Sequence, residues 1–233
     1  MMSDKKYDEL FEQVMSVFEK DGDDAAVGYL DDCIMENPDY IEAYLIRGEI
    51  SKEMGNFQEA FNDFEKVIGI DCKIAQAYFD RGLLFAESED DVNKAIKDFS
   101  KAVELNSNYA EAYSNRANMY LKLRKFPAAI SDCTKAIELM SDVEEESYEP
   151  YYNRGLAYVN TGELKKAVED YSKVIELVPE NVESYAKRGF LYSELGKEKE
   201  AIRDYEKFLE LDPDNGKAVL VRNTLNELRN IST

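Results

Sequence analysis

Two charged side chains recur through this 233-residue chain at nearly fixed intervals. Arg47, Arg81, Arg116, Arg154, Arg188 and Arg222 form one series, and Asp63, Asp98, Asp132, Asp170 and Asp204 form the other. From each of the first five arginines to the next aspartate is 16 residues, or 17 in the second case. A row of guanidinium groups is either a basic stripe for an anionic ligand or half of a set of ion pairs. The matching row of carboxylates favours ion pairs, because a partly buried arginine needs a carboxylate partner. Arg222 has no aspartate after it. Pairing is therefore expected to run backward, Asp63 with Arg81, Asp98 with Arg116, Asp132 with Arg154, Asp170 with Arg188 and Asp204 with Arg222, with pairing inside each unit as the alternative.

Other chemistry is constrained by what is missing. The chain has no histidine and no tryptophan. That removes Ser-His-Asp and Cys-His catalytic pairs, an imidazole base and His-ligated zinc. No constellation of carboxylates, Lys, Tyr or Cys replaces them, so a non-enzymatic protein with no cofactor and no metal site is expected. The segment Glu19–Asp24 has the acidity of a calcium loop, but Val17 would occupy its first ligand position and Gly28 its twelfth. Three cysteines at irregular spacing, Cys33, Cys72 and Cys133, argue against a disulfide framework and for a reducing compartment. Cys33 and Cys133 fall on apolar positions and are expected to be buried, leaving Cys72 in a turn as the accessible thiol. With 49 acidic against 29 basic residues, a net charge of −20 and a pI near 4.5, a nucleic-acid partner is excluded. No apolar run is long enough for a bilayer and the N-terminus carries no secretory signal. A cytoplasmic protein with no membrane insertion is the expectation.

The elements that carry these residues are repeats. The pattern Tyr-x-x-Arg-(Gly/Ala) starts at Tyr44, Tyr78, Tyr113, Tyr151 and Tyr185, with spacings of 34, 35, 38 and 34 residues. Each is followed by Asp-aromatic, in Asp63-Phe64, Asp98-Phe99, Asp170-Tyr171 and Asp204-Tyr205, with Asp132-Cys133 as the departure. The extra residues fall in polar turns at 87–91 and 141–147. Within a unit, apolar residues recur at helical spacing in two segments, for example Tyr151, Leu156, Tyr158 and then Leu164, Ala167, Val168, Tyr171, Val174, Ile175. Gly55, Gly162 and Gly196 separate the segments and suit a left-handed helix stop, while Pro179 and Pro213 close two units.

A 34-residue helix-turn-helix with an early aromatic, small residues in both helices and a closing proline resembles the tetratricopeptide repeat. Taking the tyrosine as position 4, the family's small positions 8, 20 and 27 hold Gly48/Ala60/Val67, Gly82/Ala95/Ala102, Ala117/Ala129/Ala136, Gly155/Ala167/Val174 and Gly189/Ala201/Phe208. Phe208 departs from the pattern and fits a last repeat with a different packing neighbour. A degenerate earlier unit precedes them, with Gln13 and Tyr29 in place of the arginine and aspartate. The resemblance implies one all-α right-handed superhelix of antiparallel helix pairs, with repeats at about 7–40, 41–74, 75–109, 110–143, 148–181 and 182–215 and a capping helix at about 216–230.

It also implies where partners bind: on the concave face lined by first helices. There Leu45, Phe79, Leu83, Tyr152, Leu156 and Phe190 have no repeat-packing role and together make an apolar strip. With Asn115, Asn118, Asn153 and Lys187 they form the expected groove for a protein or peptide, one that is basic or carries apolar anchors. Self-assembly through the degenerate unit and the cap is the alternative role. Co-chaperone members of the family clamp a C-terminal carboxylate with Lys and Asn side chains at set positions. Asn115 fits the middle member, but Phe79, Leu83, Glu149 and Asn153 stand where its neighbours' ligands belong. Shifted by one repeat, Asn118, Asn153 and Lys187 fit while Ser114 and Glu183 do not, so a full clamp is not expected. Residues 1–74 carry 19 acids and seven bases, which would steer a basic partner to the first third.

Overall fold

A computed structural model describes residues 4–87, 91–140 and 147–231. Those residues form thirteen α-helices and no strand. The polar turns expected to absorb the irregular repeat spacing fall largely on 88–90 and 141–146, outside the described residues. The chain divides into two compact units, 1–112 and 113–233.

The first unit holds α1 (Asp4–Asp21), α2 (Asp23–Glu36), α3 (Ile41–Glu53), α4 (Phe57–Ile70), α5 (Ala75–Ala86) and α6 (Val92–Leu105). The division falls inside α7 (Ala110–Lys122), and the second unit continues with α8 (Phe126–Met140), α9 (Glu149–Thr161), α10 (Leu164–Leu177), α11 (Val182–Glu194), α12 (Glu198–Leu211) and α13 (Ala218–Ile231). Links of two or three residues inside the pairs α3/α4, α9/α10 and α11/α12 leave the chain no course but to reverse, so these helices pack antiparallel.

Local sequence sets the ends. Pro150 sits in the first turn of α9, where its missing N–H costs nothing, and Gly162 stops that helix at φ 80°, donating to the carbonyls of Tyr158 and Val159. Gly55 and Gly196 adopt the same left-handed conformation, at φ 80° and 68°. In the third Tyr-x-x-Arg unit the corresponding position is Arg124, at φ 56°. Asn181 caps α11 by accepting from the Ser184 N–H. The tyrosines that open the repeat pattern tie it to the preceding turn, since the Tyr44 hydroxyl donates to the Pro38 carbonyl and the Tyr185 hydroxyl to that of Pro179.

The small first-helix residue exists to admit a ring. A Cβ on Gly48 would stand 2.6 Å from Phe64 Cε1, and one on Gly82 would stand 2.8 Å from Phe99 Cε1. Tyr171 and Tyr205 press on Gly155 and Gly189 in the same way, at 3.1 Å. The single Asp-Cys departure is a matched exchange, because Ala117 and Cys133 are both buried in one cluster: the extra methyl on one helix is met by a smaller side chain on the next. Phe208 is fully buried among Ala218, Val221, Leu225 and Leu228 of α13, which explains a large residue at a small position.

Candidate functional site

The arginine series is structural. Nε and Nη2 of Arg47, Arg81, Arg116, Arg154 and Arg188 donate to both carboxylate oxygens of Asp63, Asp98, Asp132, Asp170 and Asp204 respectively, at 2.6–3.0 Å. Pairing therefore runs within each helix pair. The expected backward partners, Asp63–Arg81, Asp98–Arg116, Asp132–Arg154, Asp170–Arg188 and Asp204–Arg222, are corrected. Both oxygens of Asp204 are already taken by Arg188, and Arg222 Nη2 donates instead to the Pro213 carbonyl at 2.8 Å. A backward reach does exist, through Nη1 alone and two residues beyond the aspartate position: Arg47 to Asp31, Arg81 to Glu65, Arg154 to Thr134 at 3.2 Å and Arg188 to Ser172 at 2.9 Å. Each guanidinium also lies 5.5–5.9 Å from the ring of the tyrosine three residues before it, which accounts for the Tyr-x-x-Arg spacing. Burial raises the Asp63 and Asp170 carboxyls against the pull of their arginines. In the degenerate first unit, the Tyr29 hydroxyl donates to Gln13 Oε1 at 2.9 Å, a neutral version of the same bridge.

Of the residues expected in the groove, Leu156, Lys187 and Phe190 of the second unit come together. Leu156 of α9, Lys187 and Phe190 of α11, and Leu220 and Val221 of α13 line a groove of about 510 Å³ whose floor includes Tyr171 and Tyr205. That volume is within the range of small-ligand and side-chain pockets. Its lining is mostly apolar, and two of its large side chains are openly exposed: Phe190 at 52 % and Leu220 at 67 %, beside Val219 at 68 %. Tyr152 lies against the floor, its ring edge-on to Tyr171 at 5.7 Å and under the Lys187 ammonium at 5.7 Å. Burial raises the Tyr152 and Tyr205 phenols to about 12. At one edge Glu183 accepts from Lys217 at 2.5 Å and pairs with Lys187 at 3.4 Å. Burial works to raise the Glu183 carboxyl, and the two ammonium groups outweigh it and hold the group below the usual range.

In the first unit the expectation fails for Leu45, which is 1 % exposed and packs in the core with Phe64 and Ala77. Phe79 stacks on Phe99 and Tyr109 at 5.8 and 4.7 Å and is partly buried, as is Leu83. Asn115 is partly buried, Asn118 exposed and Asn153 partly exposed, and none of the three lines the groove. Val159, Glu183, Tyr171, Tyr205, Lys217, Leu220 and Val221 also line it, although the sequence did not assign them to the groove. The signal for α13 is Ala218-Val219-Leu220-Val221: four consecutive apolar residues cannot share one helix face, so some must face outward. Cys133 is buried with its thiol pushed up to about 12, Cys72 is exposed, and Cys33 is only partly buried, more open than expected. Among the described residues no group of Cys, Asp and Glu is placed to hold a metal ion, and no helix is long and apolar enough to cross a membrane.

The first unit contains a separate polar network. Asp80, 2 % exposed, accepts from Gln76 Nε2 with both oxygens at 3.1 Å, and Gln76 Oε1 accepts from the Tyr109 hydroxyl at 2.6 Å. The tyrosine proton fixes the amide with its NH₂ toward the carboxyl. Burial, with Glu49 adding to it, raises Asp80 from 3.8 to about 7.

Comparison with known proteins places this geometry. Family models described as tetratricopeptide repeat match residues 110–142 in one case and 41–71 and 182–215 in another, and a third, described as TPR repeat, matches 88–123 and 155–196. The chain is 43 % identical over 68 residues to RNA polymerase II-associated protein 3 of Rattus norvegicus, covering 29 % of this chain and 10 % of that protein. It is 38 % identical over 65 residues to peptidyl-prolyl cis-trans isomerase FKBP4 of Homo sapiens, covering 28 % and 13 %. The chain thus matches about a tenth of the length of these relatives. Among solved structures, YrrB, described as a TPR protein with an unusual peptide-binding site, superposes with a TM-score of 0.72 at 20 % identity, covering 83 % of this chain and 97 % of its own, a likeness of fold.

Proposed function

The chain belongs to the tetratricopeptide repeat family, a fold of protein-interaction scaffolds, and on that footing we propose that the groove of its second unit captures a segment of a partner protein through an apolar side chain. The observation that carries the reading is Phe190, half-exposed beside Leu220 over an apolar floor, where solvent ordinarily disfavours so much hydrocarbon. Positively charged anchors are disfavoured at this place. The excess acid lies in the first unit, with 27 acids and 11 bases in residues 1–112 against 22 and 18 in residues 113–233. A carboxylate anchor is disfavoured too, because Glu183 already occupies both Lys187 and Lys217. The test is a panel of peptides selected from a random 12-residue display library on the intact chain, then measured against Phe190→Glu. Selected peptides should lose most of their affinity for that variant, whose exposed site tolerates the change. A panel indifferent to it would remove the groove assignment.

A further inference from the structure

The groove floor holds one polar group that its apolar chemistry does not account for. The Tyr171 hydroxyl is buried and has no hydrogen-bond partner. Packing does not require it, since Phe64 and Phe99 fill the equivalent places of the first unit against Gly48 and Gly82 without an oxygen. At Gly155 the ring carbon that bears the hydroxyl comes within 3.1 Å of where a Cβ would stand, so the ring tip passes α9 at the one point with no side chain. Of the residues that line the groove with it, Leu156 and Val159 of α9 and Leu191 of α11 carry no side-chain acceptor. Tyr205 also lines this floor, but it meets Gly189 with the side of its ring, Cδ1 and Cε1 at 3.1 Å, rather than with the hydroxyl-bearing tip.

An unsatisfied buried donor destabilises the free protein and is retained where something supplies an acceptor. A helical ligand has its carbonyl oxygens consumed by its own backbone, apart from the last turn, whereas an extended segment carries a free carbonyl at every residue. The rim is balanced, with Lys187 and Lys217 against Glu183 and Glu194, and so selects no charge. Resting on the groove reading above, we propose that the occupant is an extended segment of a partner protein with an uncharged apolar side chain on Phe190 and Leu220. One of its backbone carbonyl oxygens accepts a hydrogen bond from the Tyr171 hydroxyl.

The probe is a peptide from the display library whose binding to the intact chain is abolished by Phe190→Glu. Tyr171→Phe should weaken that peptide about 5- to 10-fold, the effect of one neutral hydrogen bond, while the thermal midpoint of the free protein stays level or rises. Replacing the peptide's amides by esters one at a time, which weakens each carbonyl as an acceptor, should find one position that lowers affinity for the wild-type chain and has no further effect on Tyr171→Phe. If no selected peptide depends on Phe190, the groove reading itself falls and this inference falls with it. If Phe190-dependent peptides bind Tyr171→Phe as well as wild type, or bind more tightly when stapled into a helix, the groove stands and the extended, carbonyl-donating ligand is overturned. The ester series on the wild-type chain decides the matter even if the Tyr171→Phe chain folds poorly.

Discussion

Replacing Asp80 by Asn should stabilise the protein, and by more as pH rises. Asp80 is a fully buried carboxyl with a neutral amide as its hydrogen-bond donor, while Glu49 opposes its charge and Lys52 only partly offsets that opposition. Its folded-state value, about 7, is raised above the 3.8 of an ordinary aspartate. Because the folded value is the higher one, the folded state holds a proton that the unfolded chain releases. The resulting stability is complete below about pH 4 and is lost progressively as pH rises to about 7. A shift of about three units at about 1.36 kcal/mol each amounts to roughly 4 kcal/mol. Asparagine keeps the shape and the acceptor for Gln76 and has no charge to desolvate. Asp80→Asn should then exceed the parent by about 4 kcal/mol at pH 8 and by about 2 kcal/mol at pH 5, converging near pH 4. Urea unfolding followed by helical circular dichroism at a series of pH values measures the difference directly. A difference that stays flat between pH 5 and pH 8, or a parent that is the more stable at pH 8, would refute the reasoning.

Five further substitutions test the packing, the backbone and the ion pairs. Gly48→Ala drives a methyl to 2.6 Å from the Phe64 ring and should cost about 1–3 kcal/mol in equilibrium unfolding, whereas Ala117→Gly beside the smaller Cys133 should leave a gap and no strain. Arg124→Gly relieves a left-handed backbone at φ 56° and should raise stability by about 1 kcal/mol, read as a higher urea midpoint at unchanged slope. Arg188→Ala strands the buried Asp204 and should cost about 3 kcal/mol, while Arg222→Ala loses one exposed contact to a carbonyl and should cost under about 1 kcal/mol. Equal losses from the two would restore the backward pairing.

The repeat was readable because close backbone approach dictates it. Gly48, Gly82, Gly155 and Gly189 are small for the sake of a ring on the next helix, and that constraint appears as a spacing. The direction of the ion pairs was not readable, since Asp63 is 16 residues from Arg47 and 18 from Arg81, and sequence distance does not separate the two. The direction in which the guanidinium fork leaves its helix settles it, with Nε and Nη2 committed to the Asp of the same pair and Nη1 left to reach back. The concave positions were readable in type but not in exposure. Leu83, Leu156 and Phe190 occupy the same register position, yet the first two are partly buried and the third is half in solvent, because burial depends on which neighbours close over a position. Tyr171 and Tyr205 pack against Gly155 and Gly189, as the repeat spacing requires. The Tyr171 hydroxyl gains significance only once Gly155 is seen to stand against the ring tip.

The claim that a partner segment seats in the groove of the second unit is met most directly by amide chemical-shift mapping of the intact chain during titration with a selected peptide. The largest shifts are expected at Leu156, Lys187, Phe190, Leu220 and their helix neighbours in α9, α11 and α13. Shifts that leave those helices unmoved and gather instead on α1 to α6 would contradict it.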